Sequence, residues 1–268
     1  MQNLSTDDST YRSPPGSVGI MGRTLPSLSF YAQFLTEVFL SAGKARKGLY
    51  DNPTWQAGSI NVMRALESVG IRFRVEGLEH VKSVNGPVLF IANHLSVMET
   101  VVLPTWILPY KPLTYVIKQS LLEVPVFKRV MASLSPIAVT RTNPRQDLKI
   151  VLEQGADRLS KNISIIIFPQ TTRTPFNPEQ FSTIGIKLAK RAGTKVIPLA
   201  LLTDAWENGK RLKDFGRIVP ERTVHFSFGE PLSVEGKGSE EHRRIIEFIQ
   251  SNLDRWHRER NADAAAVS

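Results

Sequence analysis

The sequence predicts an α/β protein with a mostly parallel (mixed) sheet flanked by helices and preceded by an N-terminal pair of helices. From residue 71 onward, apolar runs of strand length alternate with longer stretches of helical periodicity. Such alternation is typical of a largely parallel sheet wrapped by helices. The chain has 268 residues, 41% of them hydrophobic, and can therefore bury the core of one large domain.

The first 70 residues are predicted to form a tail and two helices. Residues 1–24 are rich in Ser, Thr, Pro and Gly and are predicted to be disordered. Apolar side chains at helical spacing predict one helix over residues 27–47 and a second over residues 53–69, which Gly70 ends. Two interpretations of this helix pair, residues 25–70, stay open. It either covers the sheet or lies on a membrane with its basic end facing anionic head groups.

The α/β domain is predicted to span residues 71–260 and to be followed by a disordered tail over residues 261–268. Alternating apolar and basic residues predict a half-exposed first strand at residues 71–75. The buried strands predicted after it are VLFIA (88–92), TYVI (114–117), PIAVT (136–140), SIIIF (164–168), VIPLALL (196–202) and VHFSF (224–228). The clearest helices are predicted over residues 144–161, 178–192 and 239–260.

Composition and charge limit the partners and the compartment. The formal net charge of +9 favours acidic partners, namely nucleic acid, anionic lipid, or phosphorylated and CoA-like substrates. The absence of cysteine excludes disulfides and cysteine nucleophiles and fits a reducing compartment. The five histidines lack metal-binding spacing, so no metal site is expected. Without a recognisable signal peptide or spanning apolar run, the protein is expected to be cytoplasmic and either soluble or peripheral on a membrane.

His94 and Glu99 are the first candidate catalytic residues. The strand VLFIA leads directly into Asn93 and His94, and a carboxylate follows at Glu99. One interpretation is structural, because Ser96 and Glu99 have the spacing of a capping box that closes a helix. The other is catalytic, because a carboxylate bonded to one imidazole nitrogen fixes the tautomer and makes the other nitrogen a better base. Since no protein nucleophile is evident, such a base would act on a hydroxyl group or on water.

Three further predicted strands also end in polar side chains. In open α/β sheets, ligand sites collect at the carboxyl ends of the strands. Here those ends carry Lys118, Arg141 and the segment QTTR (170–173). Arginine suits phosphate because its planar fork donates bidentate hydrogen bonds. Each residue alone could be an ordinary surface residue, but their convergence predicts a ligand site at this edge of the sheet.

Several of these segments together resemble the motifs of one family. GPVLFIANHLSVMET (86–100) resembles the first motif, N-H-x-S-x-x-D, of the glycerolipid acyltransferases, the lysophosphatidic acid acyltransferases of PlsC type, with Glu99 in place of the aspartate. The other similar segments are VIKQSLLEVPVF (116–127), the lysine segment; PIAVTR (136–141), the second motif; FPQTTRT (168–174), the third motif F-P-E-G-T-R-S; and VIPLAL (196–201), the fourth. Their order and spacing agree over about residues 70–205.

The resemblance implies an acyltransferase that moves a fatty acyl group from acyl-CoA or acyl-carrier protein to the free hydroxyl of a lysophospholipid. Lysophosphatidic acid is the first choice of acceptor, no cofactor is implied, and an anionic membrane surface is an expected partner. His94 would be the general base, and Glu99 would orient it. The implied substrate-binding residues are Asn93, Ser96, Lys118, Arg141, Gln170, Thr172 and Arg173. No nucleic-acid-binding motif is present, so nucleic acid is not an expected partner.

Two departures from the family pattern leave the acceptor open. Gln170 and Thr171 replace the glutamate and the glycine of the third motif, which changes the charge and the backbone freedom beside Arg173. The alternatives are acylation of another lysolipid or of an amino-acid lipid, and a catalytically silent lipid-binding relative.

Overall fold

The apolar runs of the sequence form a sheet of eight strands in the computed structural model, which describes residues 9–16, 18–123 and 125–267. In chain order the strands are β1 (Tyr11–Arg12), β2 (Phe73–Glu76), β3 (Val88–Ala92), β4 (Leu113–Lys118), β5 (Ile137–Val139), β6 (Ser164–Ile167), β7 (Lys195–Leu202) and β8 (Val224–Phe228). Across the sheet their order is β1-β2-β8-β7-β3-β6-β4-β5.

The sheet is mixed and mostly parallel, which confirms the predicted fold class. Strands β7, β3, β6, β4 and β5 run parallel to one another. Strand β8 is antiparallel to β7 and parallel to β2, and the short β1 is antiparallel to β2. The carboxyl ends of β3, β6, β4 and β5 therefore meet along one side of the sheet, which we call the site edge.

Helices cover both faces of the sheet. They are α1 (Ile20–Thr24), α2 (Pro26–Arg46), α3 (Asn52–Ser68), α4 (Leu78–Ser83), α5 (Met98–Val102), α6 (Pro104–Ile107), α7 (Pro125–Ser133), α8 (Pro144–Ser160), α9 (Ile184–Ala192) and α10 (Ser239–Val267). Successive residues of β3 point to opposite faces, so Phe90 lies in the core under α2 and α3 and Ile91 lies in the core under α8, α9 and α10.

The predicted helices form, with one shorter than expected. The Asn143 side chain accepts the backbone N–H of Gln146 at 3.2 Å and begins α8, and Gly70 ends the N-terminal pair with a φ of 103°. Helix α9 begins at Ile184 rather than near residue 178. The cause is local. The Asn177 side chain caps a separate 3₁₀ turn over Pro178–Gln180, and the extended backbone at Phe181 keeps this turn from continuing into α9.

Residues 1–8 and residue 17 lie outside the described residues, and over the rest of residues 1–24 the predicted disorder is wrong. Tyr11 is buried, its ring lies 4.6 Å from that of Trp106, and its hydroxyl donates to Glu67 at 2.8 Å. The backbone N–H of Ser13 donates to the carbonyl of Phe73 at 3.0 Å. Local composition does not reveal this segment, because a two-residue strand is held entirely by partners distant in sequence.

The predicted disorder at the other end is also wrong, because α10 continues through residues 261–267. Those residues are exposed where their burial is described. The helix persists there because alanine, which dominates the segment, has the highest helix propensity of all residues.

The two helices of the N-terminal pair differ in how much of their apolar surface packs on the sheet. Helix α3 covers the sheet, since Trp55, Met63 and Leu66 are buried in the core. Helix α2 buries Phe30 and Phe34 but exposes a row of apolar side chains on its other side. With α1 and the turn after α2, that exposed set is Ile20, Met21, Leu25, Leu28, Leu35, Phe39, Leu40 and Leu49. Among the described residues, no helix combines the length and the apolar character that crossing a bilayer requires.

The ordered N-terminal segment should contribute measurably to stability. We expect Tyr11→Ala to lower the free energy of unfolding by about 3–5 kcal/mol, because it removes a buried aromatic ring. Tyr11→Phe, which removes only the hydroxyl group, should cost about 0.5–1.5 kcal/mol. Urea unfolding measures both changes, with Arg12→Ala on the exposed side of β1 as a control expected within about 0.5 kcal/mol of the parent. Equal stability of Tyr11→Ala and the parent would contradict the structure of this segment.

Candidate active site

Asn93 follows the last residue of β3, and its side chain bonds the backbone of the neighbouring strand β7. Its side-chain amide donates to the carbonyl of Leu201 at 2.8 Å, and its side-chain oxygen accepts the N–H of Leu201 at 2.9 Å. The residue is completely buried, and both polar atoms of its side-chain amide bond the backbone of Leu201 in β7. Asn93 therefore anchors the loop that follows it to the sheet, and its expected contact with substrate stays a prediction.

His94 follows at the site edge and meets Glu99, as the sequence predicts. The distance from His94 Nδ1 to Glu99 Oε2 is 2.9 Å, and the His94 side chain is 11% exposed. The ring of Phe168 stacks on the imidazole with ring centres 4.2 Å apart. Because the carboxylate accepts a hydrogen bond, the proton of a neutral His94 lies on Nδ1, and Nε2 keeps its lone pair.

The carboxylate of Glu99 is the centre of a buried network. Its Oε1 accepts the backbone N–H groups of Leu95 at 2.7 Å and Ser96 at 3.1 Å, and the hydroxyl of Thr203 at 2.7 Å. Glu99 has no exposed surface. The same side chain thus closes the turn before α5 and bonds the imidazole, while the catalytic role of the pair stays a prediction.

Ser96 supports this network, and its expected contact with substrate stays a prediction. The residue is buried, and its hydroxyl accepts the N–H of Met98 at 3.1 Å and donates to Thr203 Oγ1 at 3.1 Å. Sequence reasoning missed Thr203, since a single threonine after a buried strand matches no pattern. Only the pairing of β7 with β3 brings it beside Glu99.

The loop after β6 packs directly against His94. The backbone N–H of Thr174 donates to the carbonyl of His94 at 3.2 Å. Gln170 is buried, and its amide donates to the carbonyl of Pro175 at 3.1 Å, so this side chain shapes its own loop. Thr171 has a φ of 63°, a left-handed backbone that a β-branched residue rarely adopts. The glycine of the family motif at this position has a physical explanation, because glycine adopts this conformation without strain.

Arg141 extends from the end of β5 on a turn that Asp147 holds. The Asp147 carboxylate accepts the backbone N–H groups of Thr140 at 2.9 Å and Arg141 at 2.7 Å. The pKa of the Arg141 guanidinium is lowered, first by partial desolvation and then by the positive charge of Arg173, while Asp147 opposes the shift. The positive charges of Arg141 and Arg173 repel each other, so an anion that lies near both is stabilised.

Arg173 has a partner that the sequence did not predict. Its guanidinium lies 2.6 Å from Asp214 in an ion pair and 3.5 Å from the side-chain oxygen of Asn208. The Asn208 amide in turn donates to the carbonyl of Leu95 at 2.8 Å, next to His94. Both partners come from residues 206–218 between β7 and β8, a segment in which the sequence shows no catalytic motif.

Lys118 and Thr172 lie at the surface of the site edge. Lys118 is the exposed last residue of β4, and Thr172 is exposed in the loop after β6. Of the predicted substrate-binding residues, these two and Arg141 therefore present exposed side chains, Arg173 is half-buried, and Asn93, Ser96 and Gln170 are buried. Among the described residues, no cluster of His, Asp and Glu could hold a metal ion.

An apolar cavity of about 150 Å³ lies on the α2–α3 face of the sheet. Its lining includes Phe34, Val38, Trp55, Thr100, Tyr115 and Leu134. The ring of Tyr115 stacks at 6.4 Å on Phe168, which itself stacks on His94. The pKa of Tyr115 is raised well above its usual value, by burial first and then by the charge of Glu99, so the phenol stays neutral.

A second cavity, of about 370 Å³, lies on the opposite face of the sheet. Arg141, Asp147, Thr171 and Lys187 line it together with Phe168. Since Phe168 also stacks on His94, the imidazole lies close to an apolar cavity on one face and to a cationic cavity on the other.

Comparisons with known proteins agree with this architecture. The acyltransferase family model matches residues 72–202. The 1-acyl-sn-glycerol-3-phosphate acyltransferase of Pseudomonas aeruginosa is 32% identical over 199 residues, which cover 74% of this chain and 72% of that protein. A chloroplastic 1-acyl-sn-glycerol-3-phosphate acyltransferase of Arabidopsis thaliana is 24% identical over 132 residues, which cover 49% of this chain but only 36% of that protein.

A solved structure has the same fold. The crystal structure of the 1-acyl-sn-glycerophosphate (LPA) acyltransferase PlsC from Thermotoga maritima matches with a TM-score of 0.63 and 20% identity. The match covers 86% of this chain and 94% of that chain, so the similarity extends well beyond the residues of the family model.

The left-handed backbone at Thr171 should be a source of strain. We expect Thr171→Gly to raise the free energy of unfolding by up to about 1 kcal/mol, because glycine relieves the clash of a branched Cβ at positive φ. Thr172→Gly is the matched control: its φ is not positive, so glycine should lower the stability there by adding unfolded-state entropy and by removing the bond from Oγ1 to the Gln170 carbonyl. Urea unfolding of both variants measures the difference, and a destabilised Thr171→Gly would contradict the strain.

Proposed function

The chain belongs to the acyltransferase family, and we propose that it moves a fatty acyl group from an acyl thioester to the free hydroxyl of a lysophospholipid. Lysophosphatidic acid is the first choice of acceptor, and its acylation yields phosphatidic acid. The observation that carries the proposal is the buried His94–Glu99 pair at 2.9 Å beside the cationic cavity of Arg141. The 1-acyl-sn-glycerol-3-phosphate acyltransferases among its relatives support the same acceptor class.

His94 acts as the general base in this mechanism. Nε2 takes the proton of the acceptor hydroxyl as its oxygen attacks the thioester carbonyl carbon. The tetrahedral intermediate collapses, the carbon–sulfur bond breaks, and the departing thiolate receives the proton from His94. The products are an ester and a free thiol, and no acyl group is attached to the protein. General-base assistance of this kind contributes about 10²–10⁴-fold to the rate.

Glu99 holds the imidazole in the tautomer that the reaction needs. While His94 carries the transferred proton it is a cation, and the carboxylate stabilises it at a distance of 2.9 Å. The other donors to Glu99 fix the carboxylate, so little reorganisation accompanies the charge change. Glutamate thus does the work of the family's aspartate through a longer side chain.

Arg141 and Arg173 hold the acceptor phosphate in this proposal, with Lys118 as a further cation. Asp214 already neutralises Arg173 at 2.6 Å, so the incoming phosphate displaces a carboxylate. That exchange favours a dianionic phosphate monoester, which competes with a single carboxylate better than a zwitterionic head group does.

The apolar cavity beside Tyr115 suits a fatty acyl chain. Its walls are predominantly apolar, and its lining residue Thr100 follows Glu99 directly in α5. Acyl-CoA and acyl-carrier protein are both acidic thioesters, and the positive net charge of the chain favours either donor.

The exposed apolar side chains of α1 and α2 suit the surface of a bilayer. The last turn of α2 adds exposed basic side chains at Lys44 and Arg46, and Lys47 follows directly after the helix. Apolar and basic groups on one helix favour binding parallel to an anionic membrane. We therefore propose a peripheral protein on the cytoplasmic face of a membrane, where both lipid substrates are available.

Substitutions in the His94–Glu99 pair test the mechanism. His94→Ala should lower kcat at least about 10²–10⁴-fold without unfolding the protein, because the base is lost. Glu99→Gln should lower kcat strongly, whereas Glu99→Asp should retain activity because the family pattern has aspartate there. The assay follows free thiol released from an acyl thioester on addition of lysophosphatidic acid, with circular dichroism as the control for folding. Wild-type turnover of His94→Ala would rule out this mechanism.

The phosphate site predicts opposite effects of two neighbouring substitutions. Arg173→Ala should raise the acceptor KM roughly 10- to 150-fold, the equivalent of a charge-assisted hydrogen bond of about 1.5–3 kcal/mol. Asp214→Asn should lower the acceptor KM, because the phosphate no longer displaces a carboxylate. The donor KM should change little in either variant and serves as the internal control. Equal shifts of both KM values would place Arg173 outside the acceptor site.

A panel of acceptors decides between lysophosphatidic acid and the alternatives. With one labelled acyl donor and product detection by mass spectrometry, lysophosphatidic acid should turn over faster than zwitterionic lysolipids and amino-acid lipids. Gln170 and Thr171 depart from the family pattern at this loop, and they are the observation that favours another acceptor. If lysophosphatidic acid were inert while another lysolipid reacted, the choice of acceptor would be wrong and acyl transfer would stand.

A further inference from the structure

Residues 206–218 form an ordered hairpin between β7 and β8. Trp206 and Ile218 make an antiparallel bridge at its base, and both are buried. Higher up, the backbone N–H of Gly209 donates to the carbonyl of Lys213 at 3.1 Å. Because Cβ atoms at Gly209 and Gly216 would overlap backbone atoms of the facing strand, the two arms approach as closely as glycine allows. The segment is therefore a defined structural element.

The 206–218 hairpin packs on α2, the helix that exposes apolar side chains. The ring of Trp206 lies 4.7 Å from Phe30 and 5.2 Å from Phe34. Tyr31, one turn beyond Leu28, has its ring 5.3 Å from Phe215 and donates its hydroxyl to the carbonyl of Gly216 at 2.5 Å. The hairpin and the exposed side of α2 thus form one continuous surface.

The tip of the hairpin has an unusual composition for a surface in water. Lys210, Arg211 and Lys213 are exposed and surround Leu212, which is 67% exposed. None of these three cations forms an ion pair with another described residue. An apolar side chain ringed by unpaired cations suits a surface with negative charge outside and hydrocarbon beneath, which describes an anionic bilayer.

We propose that the tip of the 206–218 hairpin is a second membrane contact, which docks on an anionic bilayer beside the apolar side of α1 and α2. The proposal rests on the lipid substrates of the proposed function and adds a surface that the resemblance does not predict. Leu212 enters the interface while Lys210, Arg211 and Lys213 contact lipid phosphates. Two separate contacts fix the orientation of the protein on the membrane, which one helix cannot do.

This orientation has a direct consequence at the site. Asn208 and Asp214, below the tip, reach Leu95 and Arg173. The hairpin therefore joins the membrane surface to the groups beside His94 over a single short element. An acceptor whose phosphate passes from the tip cations along the hairpin reaches Arg173.

Two charge-matched triple variants test the membrane contact. Lys210→Gln, Arg211→Gln and Lys213→Gln together remove the basic tip. Arg191→Gln, Lys195→Gln and Lys237→Gln together remove the same charge near the amino end of β7, on the side of the sheet opposite the site edge. Affinity for vesicles of phosphatidylglycerol and phosphatidylcholine should fall about 5-fold per tip cation, on the order of 100-fold in all. The control triple should bind within about 3-fold of the parent.

A fluorescent label reads insertion directly, because the chain has no cysteine that would react in competition. Leu212→Cys with an environment-sensitive dye should shift to shorter wavelength on anionic vesicles and not on pure phosphatidylcholine vesicles. Lys195→Cys with the same dye should show no shift on either. An unshifted dye at position 212, or equal vesicle affinity of the two triple variants, would overturn the proposal.

Acyl transfer is measured on the same proteins with acceptor in detergent micelles, where no bilayer is needed. The tip variants should keep the parental kcat there, because no tip residue belongs to the site. Loss of vesicle binding with normal micellar activity supports the contact, while a parent without transferase activity would refute the proposed function and leave the binding result readable. The two failures are thereby distinguishable.

Discussion

The structure depends on one buried carboxylate. Burial of a charged group costs several kcal/mol unless donors satisfy it, and Glu99 accepts hydrogen bonds from His94, Leu95, Ser96 and Thr203. Those donors come from the turn after β3 and from the end of β7, so the carboxylate joins two neighbouring strands. The requirement to satisfy Glu99 therefore fixes the path of the loop that presents His94.

Most of the fold and the contact between His94 and Glu99 could be predicted from the sequence. The parallel strands are short and apolar, and their alternation with helices needs no long-range information. The meeting of His94 and Glu99 is also local, because a turn between residues five apart brings them together. By contrast, β1 and the ordering around Tyr11 depend on Trp106 and Glu67, and no local pattern indicates such distant partners.

The contacts of the site that the sequence does not predict are those that the tertiary structure determines. The motif pattern assigns substrate contact to Asn93 and Ser96, and it does not indicate that both are buried, with Asn93 bonded to Leu201 and Ser96 to the Glu99 network. Conversely, Asp214 matches no motif and still reaches Arg173, because the hairpin folds back over the site edge. Residue identity indicated the chemistry of the site, while the division into contact and support required the structure.

The central claim is that Glu99 sets His94 as a base with its lone pair on Nε2, and nitrogen NMR of the imidazole tests this directly. The protein is labelled with ¹⁵N in its five histidines. The His94 signals are assigned as those missing from the spectrum of the His94→Gln variant. At a pH where imidazole is neutral, the account predicts one tautomer for His94, with the proton on Nδ1, and its loss in Glu99→Gln. A proton on Nε2, or the averaged shifts of free imidazole, would contradict the account.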